Sequence, residues 1–513
     1  MIKLRSLSIL MILAVKLSLA WGQETSNPQE PSNMPQGGQS EQSATANGSG
    51  NQAPDNQSAG TQAVSIENPP ISGLDLPNLE PHGAPLSYVQ PGAFFSESVD
   101  SNVEDTLGGS TVASVSRAEG GLDLHRLWSS YDLSLSYLGG IGYYDAKGIG
   151  LKQVEELGVY QKVTWKRGEL GVRDAFSYQP EGTFGSSYGS VEQGGAGLNG
   201  VGVFFGGTEL GSLGQVPRVM NLSLVDAVET LTPKSSITAT IGYGFVHFLQ
   251  KEPDSNNSFI GSSQFSGQLG YSRILGPHDQ GAIVYGYQGF QFSTGVTLHS
   301  NIVQLMWGHR ITGRMDFLVG VGPQFVQYNH LLEPVSVVTP TDTFPPCVFG
   351  NGTIDCPTNE FHTSAAGRAL LRYRFPKVSL SASFEHYLTS GAGFFAGAES
   401  SIATLSASRP LGRVWNGFTD IGYSYNSRAT PDVCAAGAQN CPGVSADIYQ
   451  YGFFGGGVRR SFGRDFKAFA SYQFNELAFD HTYCGSISVC GRISNREVGT
   501  IGLDWTPRPI RLD

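Results

Sequence analysis

Charge is scarce in this chain: 15% of its 513 residues are Asp, Glu, Lys or Arg. The balance is acidic, with a formal net charge of -11 and a pI of 5.4, which disfavours nucleic acid as a partner. Long apolar runs are missing beyond the N-terminus, so no helix of the ~18 or more apolar residues needed to cross a bilayer can be drawn. The mean hydropathy of -0.14 is likewise too low for a helical membrane protein. Cysteine is rare, at six residues, and none lies near the N-terminus, where a lipid anchor would need one. No His-Glu-x-x-His or Cys-x-x-Cys spacing occurs, so neither a metal nor a cofactor is expected.

What the chain has instead is glycine, 67 residues of it, and a period of two. In Tyr131-Asp-Leu-Ser-Leu-Ser-Tyr137, large apolar side chains take the odd positions and small or polar ones the even positions. Successive strand side chains point to opposite faces, so such a run is a strand with one apolar face and one polar face. The pattern recurs over 92–100, 111–127, 130–140, 154–167, 169–179, 218–231, 236–248, 264–275, 280–292, 296–309, 315–329, 363–374, 378–387, 397–409, 416–426, 447–462, 466–479 and 493–506. In 218–231, Leu224, Val225, Val228 and Leu231 also fit helical spacing, which leaves that segment ambiguous. Short connections carry turn residues, as in Pro233-Lys-Ser235 and Gly463-Arg-Asp465. They alternate with long ones at 180–217, 249–263, 330–362, 427–446 and 480–492. This rhythm predicts an all-β fold, a transmembrane antiparallel β-barrel of 16–18 strands over residues 91–507, followed by a tail at 508–513. Without membrane helices, only a closed barrel satisfies every backbone polar group in lipid.

Ahead of the barrel, residues 1–22 read as a signal peptide. Lys3 and Arg5 precede an apolar stretch from Leu7 to Val15, and Ala20-Trp-Gly22 supplies a small-x-small site. Residues 23–90 read as a disordered, low-complexity periplasmic tether, because Gln, Ser, Asn, Gly and Pro bury too little surface to offset ordering entropy. From Pro69 onward the tether is richer in Leu and fits either a plain linker or a plug in the barrel mouth. The cysteines fall as three close pairs, Cys347/Cys356, Cys434/Cys441 and Cys484/Cys490, each inside one long connection. Local disulfides in an oxidising compartment are the economical reading.

Alternation also sorts side chains by face. Asp132, Arg173, Arg368, Arg372, Glu385, Asp420, Lys467 and Asp504 fall inward as pore-lining residues, with Gln450 and Gln473 beside them. Val172, Ala369, Leu371, Phe384, Ile421, Tyr451, Phe453 and Leu503 fall outward. A charge on the lipid face at mid-bilayer costs ~2–4 kcal/mol, so charges are expected on one side only. Tyr143, Tyr144, Trp165, Tyr178, Trp307, Tyr387, Trp415, Tyr425, Phe479 and Trp505 lie near strand ends, where interfacial aromatic girdles belong. The Gly- and Ser-rich loop 180–217 is the candidate constriction. Glu192 and Glu209 on it, facing lumen arginines, would set up a transverse field. His247 and His386 have hydroxyls nearby, but every strand carries Ser or Thr, so they read as rim or lumen histidines. No enzymatic activity is expected.

Pro91-Gly-Ala-Phe-Phe-Ser-Glu-Ser-Val-Asp-Ser101, Gly120-Gly-Leu-Asp-Leu-His-Arg-Leu-Trp128 and Arg173-Asp-Ala-Phe-Ser-Tyr178 carry a resemblance. Over residues 69–507 the chain resembles porin-like outer-membrane β-barrel proteins of Gram-negative bacteria, closest to uncharacterised acidobacterial barrels. The resemblance implies the cell outer membrane as location, with outer-membrane lipid and the outer-membrane barrel insertion machinery as partners. One departure is the C-terminus. Such barrels commonly end in an aromatic residue, whereas this chain stops at Leu512-Asp513, so the insertion signal would be internal, around Ile501 to Trp505. The expected function is a channel for passive or weakly selective passage of small polar solutes. The alternative is a non-conducting surface barrel whose disulfide-pinned loops bind a partner or carbohydrate. A homo-oligomer is compatible with either.

Overall fold

The computed structural model describes residues 87–104, 110–179, 217–249, 259–312, 314–331, 348–350, 353–355, 357–374, 377–391, 393–430, 446–484 and 490–512. All belong to the unit Ala46–Asp513. The expected signal peptide and the tether as far as residue 86 lie outside the described residues. So do Glu192 and Glu209 of the expected constriction, and Cys347, Cys356, Cys434 and Cys441 of the expected disulfides.

Among the described residues there is no helix. The strands are β1 (Tyr88–Asp100), β2 (Ala113–Leu127), β3 (Tyr131–Tyr144), β4 (Gly150–Trp165), β5 (Gly168–Gln179), β6 (Arg218–Thr232) and β7 (Ser235–Phe248). Next come β8 (Ser262–Ile274), β9 (Asp279–Phe292), β10 (Thr297–Thr312), β11 (Met315–Leu331), β12 (Val348–Gly350), β13 (Thr353–Asp355) and β14 (Pro357–Arg374). The last are β15 (Ser379–Thr389), β16 (Ala398–Pro410), β17 (Trp415–Arg428), β18 (Ile448–Phe462), β19 (Phe466–Cys484), β20 (Cys490–Trp505) and β21 (Ile510–Arg511). β12 and β13 pair only with each other. The eighteen long strands form one closed antiparallel barrel, each paired with its neighbours in the chain.

Closure is made by β1 against β20, in register from Ala93↔Trp505 to Asp100↔Val498. β21 extends the seam with Tyr88↔Arg511 and Val89↔Ile510. Between β20 and β21 the chain passes through Pro507 and Pro509, which have no N–H to offer a ladder. There the Gln90 side chain takes over, its Nε2 donating to the Pro507 carbonyl at 2.8 Å. An even number of staves brings both ends to one rim, and Leu512 N–H donates to the Ser87 carbonyl at 2.9 Å. That rim also holds the tight turns, of two to four residues each.

The ambiguous segment 218–231 is a strand, paired along its length with β5 and β7. Two flanking strands supply every backbone partner there, so tertiary pairing overrides the helical spacing. The wall also starts earlier than the pattern places it, because Tyr88–Gln90, assigned to the tether, pair with β2. At the other end, β19 and β20 extend to Cys484 and Cys490, which shortens the expected loop 480–492 to 485–489.

The outer face explains why this wall needs lipid. Ile241, Leu269, Leu305, Val321 and Leu503 are each more than half exposed. In water, a continuous apolar band of that kind would drive aggregation; in a bilayer it is solvated. Trp165, Trp307, Trp415 and Trp505 stand outward at the tight-turn rim, and Arg460 stacks 5.3 Å from the Trp415 ring. Amphipathic rings with a cation among them suit the headgroup level. Three of the expected girdle residues do otherwise. Tyr144, Tyr387 and Phe479 are buried on the inner side, where they pack with other apolar groups near the long-loop rim.

Candidate functional site

The lumen is the candidate site. The burial alternation puts Asp132, Arg173, Arg368, Arg372, Glu385, Asp420, Lys467 and Asp504 on the inward face of their strands. Their electrostatics differ from the field expected between a loop and a wall. Most are paired with a neighbour on the wall itself. Arg368 and Glu385 face each other across β14 and β15 at 3.7 Å. Arg372 reaches Asp316 on β11 at 2.6 Å, and Lys467 reaches Asp504 on β20 at 3.8 Å. Arg173 lies 3.2 Å from Asp226 on β6 and over the Tyr160 ring at 4.8 Å. Asp132 meets His125 Nε2 at 2.6 Å.

Asp316 and Asp226 were not foreseen as wall residues. Asp316 is the second residue of its strand, where alternation has barely begun. Asp226 sits in the segment whose period was ambiguous. Hydroxyls form a second ladder, with Ser379 against Ser408 at 2.6 Å and Ser381 against Ser406 at 2.7 Å. Both ladders lie toward the tight-turn rim, where the inward side chains of β14, β15 and β16 keep part of their surface accessible.

Toward the long-loop rim an apolar knot crosses the lumen, while buried polar groups such as Asp100 and Arg496 stay at the seam. The connection between β15 and β16 turns inward, with Phe394 and Phe395 each 1% exposed. Phe394 meets Tyr449 edge-on at 5.2 Å and Phe479 at 5.4 Å, and it tilts against Phe259 at 5.8 Å. Backbone bonds tie the same loop to well-separated parts of the ring. Ile260 N–H, next to β8, donates to the Gly393 carbonyl at 2.9 Å, and Ala429 N–H, after β17, donates to Gly397 at 3.1 Å. In the strand order β8 and β17–β19 stand nearly opposite one another, so this loop bridges the lumen.

Glycine makes the bridge possible. Gly391, Gly393 and Gly397 have φ of +83°, +80° and +96°, a region that L side chains avoid. A Cβ on Gly393 would also lie 2.7 Å from the Phe248 ring. The Gly- and Ser-rich composition of loop 180–217 makes it the expected constriction. That loop lies outside the described residues, and the inward loop at 390–397 was not anticipated. Its signal was available: two adjacent phenylalanines among glycines in a connection (Gly391-Ala-Gly-Phe-Phe-Ala-Gly397) have no reason to face water.

Of the cysteine pairs, Cys484 and Cys490 are direct cross-strand partners of β19 and β20. The disulfides expected between Cys347 and Cys356 and between Cys434 and Cys441 are not shown, because all four residues lie outside the described ones. A Gly-Ser-Ser-Tyr-Gly string at 185–189 has nucleophile-elbow spacing, and it too lies outside them. His386 Nδ1 meets Ser401 at 2.8 Å, and among the described residues no carboxylate pairs with the ring, which falls short of a triad.

No family model matches the chain, and no curated protein matches it. Solved structures overlap it at low similarity. The open form of the ferric-catecholate import receptor Fiu from E. coli K12 is 8% identical, covers 81% of this chain and 81% of its own, and has a TM-score of 0.40. OccK2 (OpdF) of Pseudomonas aeruginosa is 9% identical over 82% of this chain and 98% of its own, with a TM-score of 0.37. The siderophore receptor PiuA of Acinetobacter baumannii is 8% identical over 81% and 82%, with a TM-score of 0.38. Likeness at these values decides nothing between such proteins. The wall itself, closed over eighteen strands with an apolar outer band and a polar, ion-paired inner face, is that of an outer-membrane β-barrel.

Proposed function

We propose that the protein is an outer-membrane channel for passive or weakly selective passage of small polar solutes, with the 390–397 loop as its constriction. The observation that carries this reading is the asymmetry of the wall along its height. Partly accessible ion pairs and hydroxyl ladders line the half near the tight-turn rim, and an apolar loop bridges the half near the long loops, where the Asp100–Arg496 pair is buried in the wall. A barrel of this strand number leaves room for water unless something fills it. Paired charges on the wall make it polar without a strong net field, which fits weak selectivity better than a steep preference for one ion sign. The reading includes no enzymatic step. Disulfides in the long loops and contact with the barrel insertion machinery belong to it as proposals.

The apolar bridge also favours a second reading, a non-conducting barrel that displays its long loops to a partner or carbohydrate. Reconstitution of the folded chain into a planar bilayer separates the two. Stable openings of uniform size are the expected result. A heat-modifiable, folded barrel that never opens would overturn the channel and leave the surface barrel.

A further inference from the structure

The inner wall is divided by sector. Among the described residues, inward positions from β7 through β10 carry no Asp, Glu, Lys, Arg or His until Arg310 at the tight-turn rim. The ion pairs of Asp132, Arg173, Arg368, Arg372 and Lys467, and that of Arg496 at the seam, lie elsewhere on the ring. In their place the uncharged sector carries glutamine amides and hydroxyls. Gln264 and Gln268 occupy inward positions of β8 on either side of Ser266, and Ser266 pairs with Gln288 of β9. The three amides therefore form one cluster.

That cluster is incomplete. Gln264 Nε2, Gln268 Nε2 and both amide heteroatoms of Gln288 are buried without a hydrogen-bond partner, and all three side chains are more than nine-tenths buried. Buried amides in folded proteins are normally satisfied. Gln324, on the adjoining β11, shows the ordinary case by donating to Ser300 Oγ of β10 at 2.8 Å. Directly across from Gln264 stands Phe290, which belongs to the same apolar cluster as Leu388 of β15 and Ala396 of the bridging segment. Unsatisfied amides of both polarities, next to an aromatic side chain and on strands with no inward charge beside them, present one recognition chemistry. The nearest inward charge in register, Asp226, lies two strands away and is paired with Arg173. It suits a solute with hydroxyls that donate and accept, an apolar ring face, and no net charge.

We infer that the Gln264/Gln268/Gln288 cluster is a subsite for uncharged polyhydroxylated solutes, of which a saccharide is the representative. The assignment rests on the channel reading and narrows it: the neutral solute follows the charge-free sector beneath the 390–397 loop. A sugar acid of similar size would leave its carboxylate there without a cationic partner.

The test uses the full folded chain in a planar bilayer, with cellobiose and cellobionate as probes. Cellobiose interrupts the ion current, and cellobionate does so at least several-fold more weakly. Gln264→Leu/Gln288→Leu, checked for heat-modifiable folding, weakens the cellobiose block by about tenfold, the worth of two neutral hydrogen bonds. A channel that conducts but ignores cellobiose, or is blocked equally by both sugars, overturns the subsite while the channel reading stands. If the barrel never conducts, the channel reading falls. Calorimetric titration of the detergent-folded protein with cellobiose then decides the subsite alone: binding upholds it and none overturns it.

Discussion

The seam offers the sharpest test of how this barrel is held shut. Asp100 and Arg496 meet across β1 and β20 with side chains only 2% and 3% exposed. Arg496 donates through Nε at 2.9 Å and Nη2 at 2.5 Å to one carboxylate oxygen. The other oxygen accepts the Asn102 backbone N–H at 3.0 Å, and Asn102 Nδ2 in turn donates to Ser494 at 3.1 Å. Asp100→Ala leaves a buried guanidinium without this carboxylate, a change that costs ~3–5 kcal/mol. The exposed counterpart is Asp316→Ala, which removes the partner of Arg372 where side chains are 23% and 27% exposed. Solvent screens that pair, so its loss costs ~1 kcal/mol or less. Asp100→Leu with Arg496→Met removes both charges and recovers most of the loss, because the pair's attraction largely offsets its own desolvation. Urea unfolding from lipid vesicles reads all three variants on one scale. Equal small effects for Asp100→Ala and Asp316→Ala, or a double variant no better than the single one, would refute the argument that burial sets the strength of this closure.

The bridging loop gives a second expectation: Gly393→Val forces a β-branched residue to φ +80° and against Phe248, so the loop leaves its seat and single-channel conductance rises. Unchanged conductance in a folded variant would mean the loop is not the constriction. On the outer face, Leu305→Arg, at a position 64% exposed in the lipid band, lowers stability by ~2–4 kcal/mol. Gln304→Arg, one residue away and facing inward, costs far less; a reversed order in urea unfolding would contradict the assignment of faces. Cys484 and Cys490 stand directly opposite in register, and the ~4.5–5.5 Å Cα spacing of such pairs lies within disulfide range. Mass spectrometry of the exported protein is expected to show this pair alkylated only after reduction, and alkylation without reductant would exclude the bridge.

Most of the wall was legible because its chemistry is local. In Tyr131–Tyr137 of β3 or Ile421–Tyr425 of β17, every second side chain is large and apolar and the rest are small or polar, so lipid on one side and water on the other can be read from the chain alone. The rule assumes that the inside is wet. It fails for Tyr144, Tyr387, Phe479 and Tyr451, inward aromatics that it would send to lipid or to the interface. Each is buried on the inner side, and three of them belong to or flank the clusters beneath the bridging loop. A lumen closed by an apolar loop needs apolar inward partners, which is tertiary information that no single strand carries.

β18 shows the effect most clearly. Its glycines at 452 and 455–457 remove the alternation, and the remaining large residues, Tyr449, Tyr451, Phe453 and Phe454, are apolar on both parities. Polarity alone therefore favoured Gln450 inward with Tyr451 and Phe453 outward. The structure has the opposite register: Tyr451 is 1% exposed within the apolar knot, and Phe454 is 48% exposed on the outer face. The two registers make opposite forecasts for one substitution. With Phe454 facing lipid, Phe454→Arg places a charge in the hydrocarbon band and costs ~2–4 kcal/mol in unfolding from vesicles. With Phe454 facing the lumen, the same arginine would be hydrated and cost little. A near-neutral Phe454→Arg would thus reverse β18, remove Tyr449 and Tyr451 from beneath Phe394, and take away one side of the seat on which the bridging loop rests.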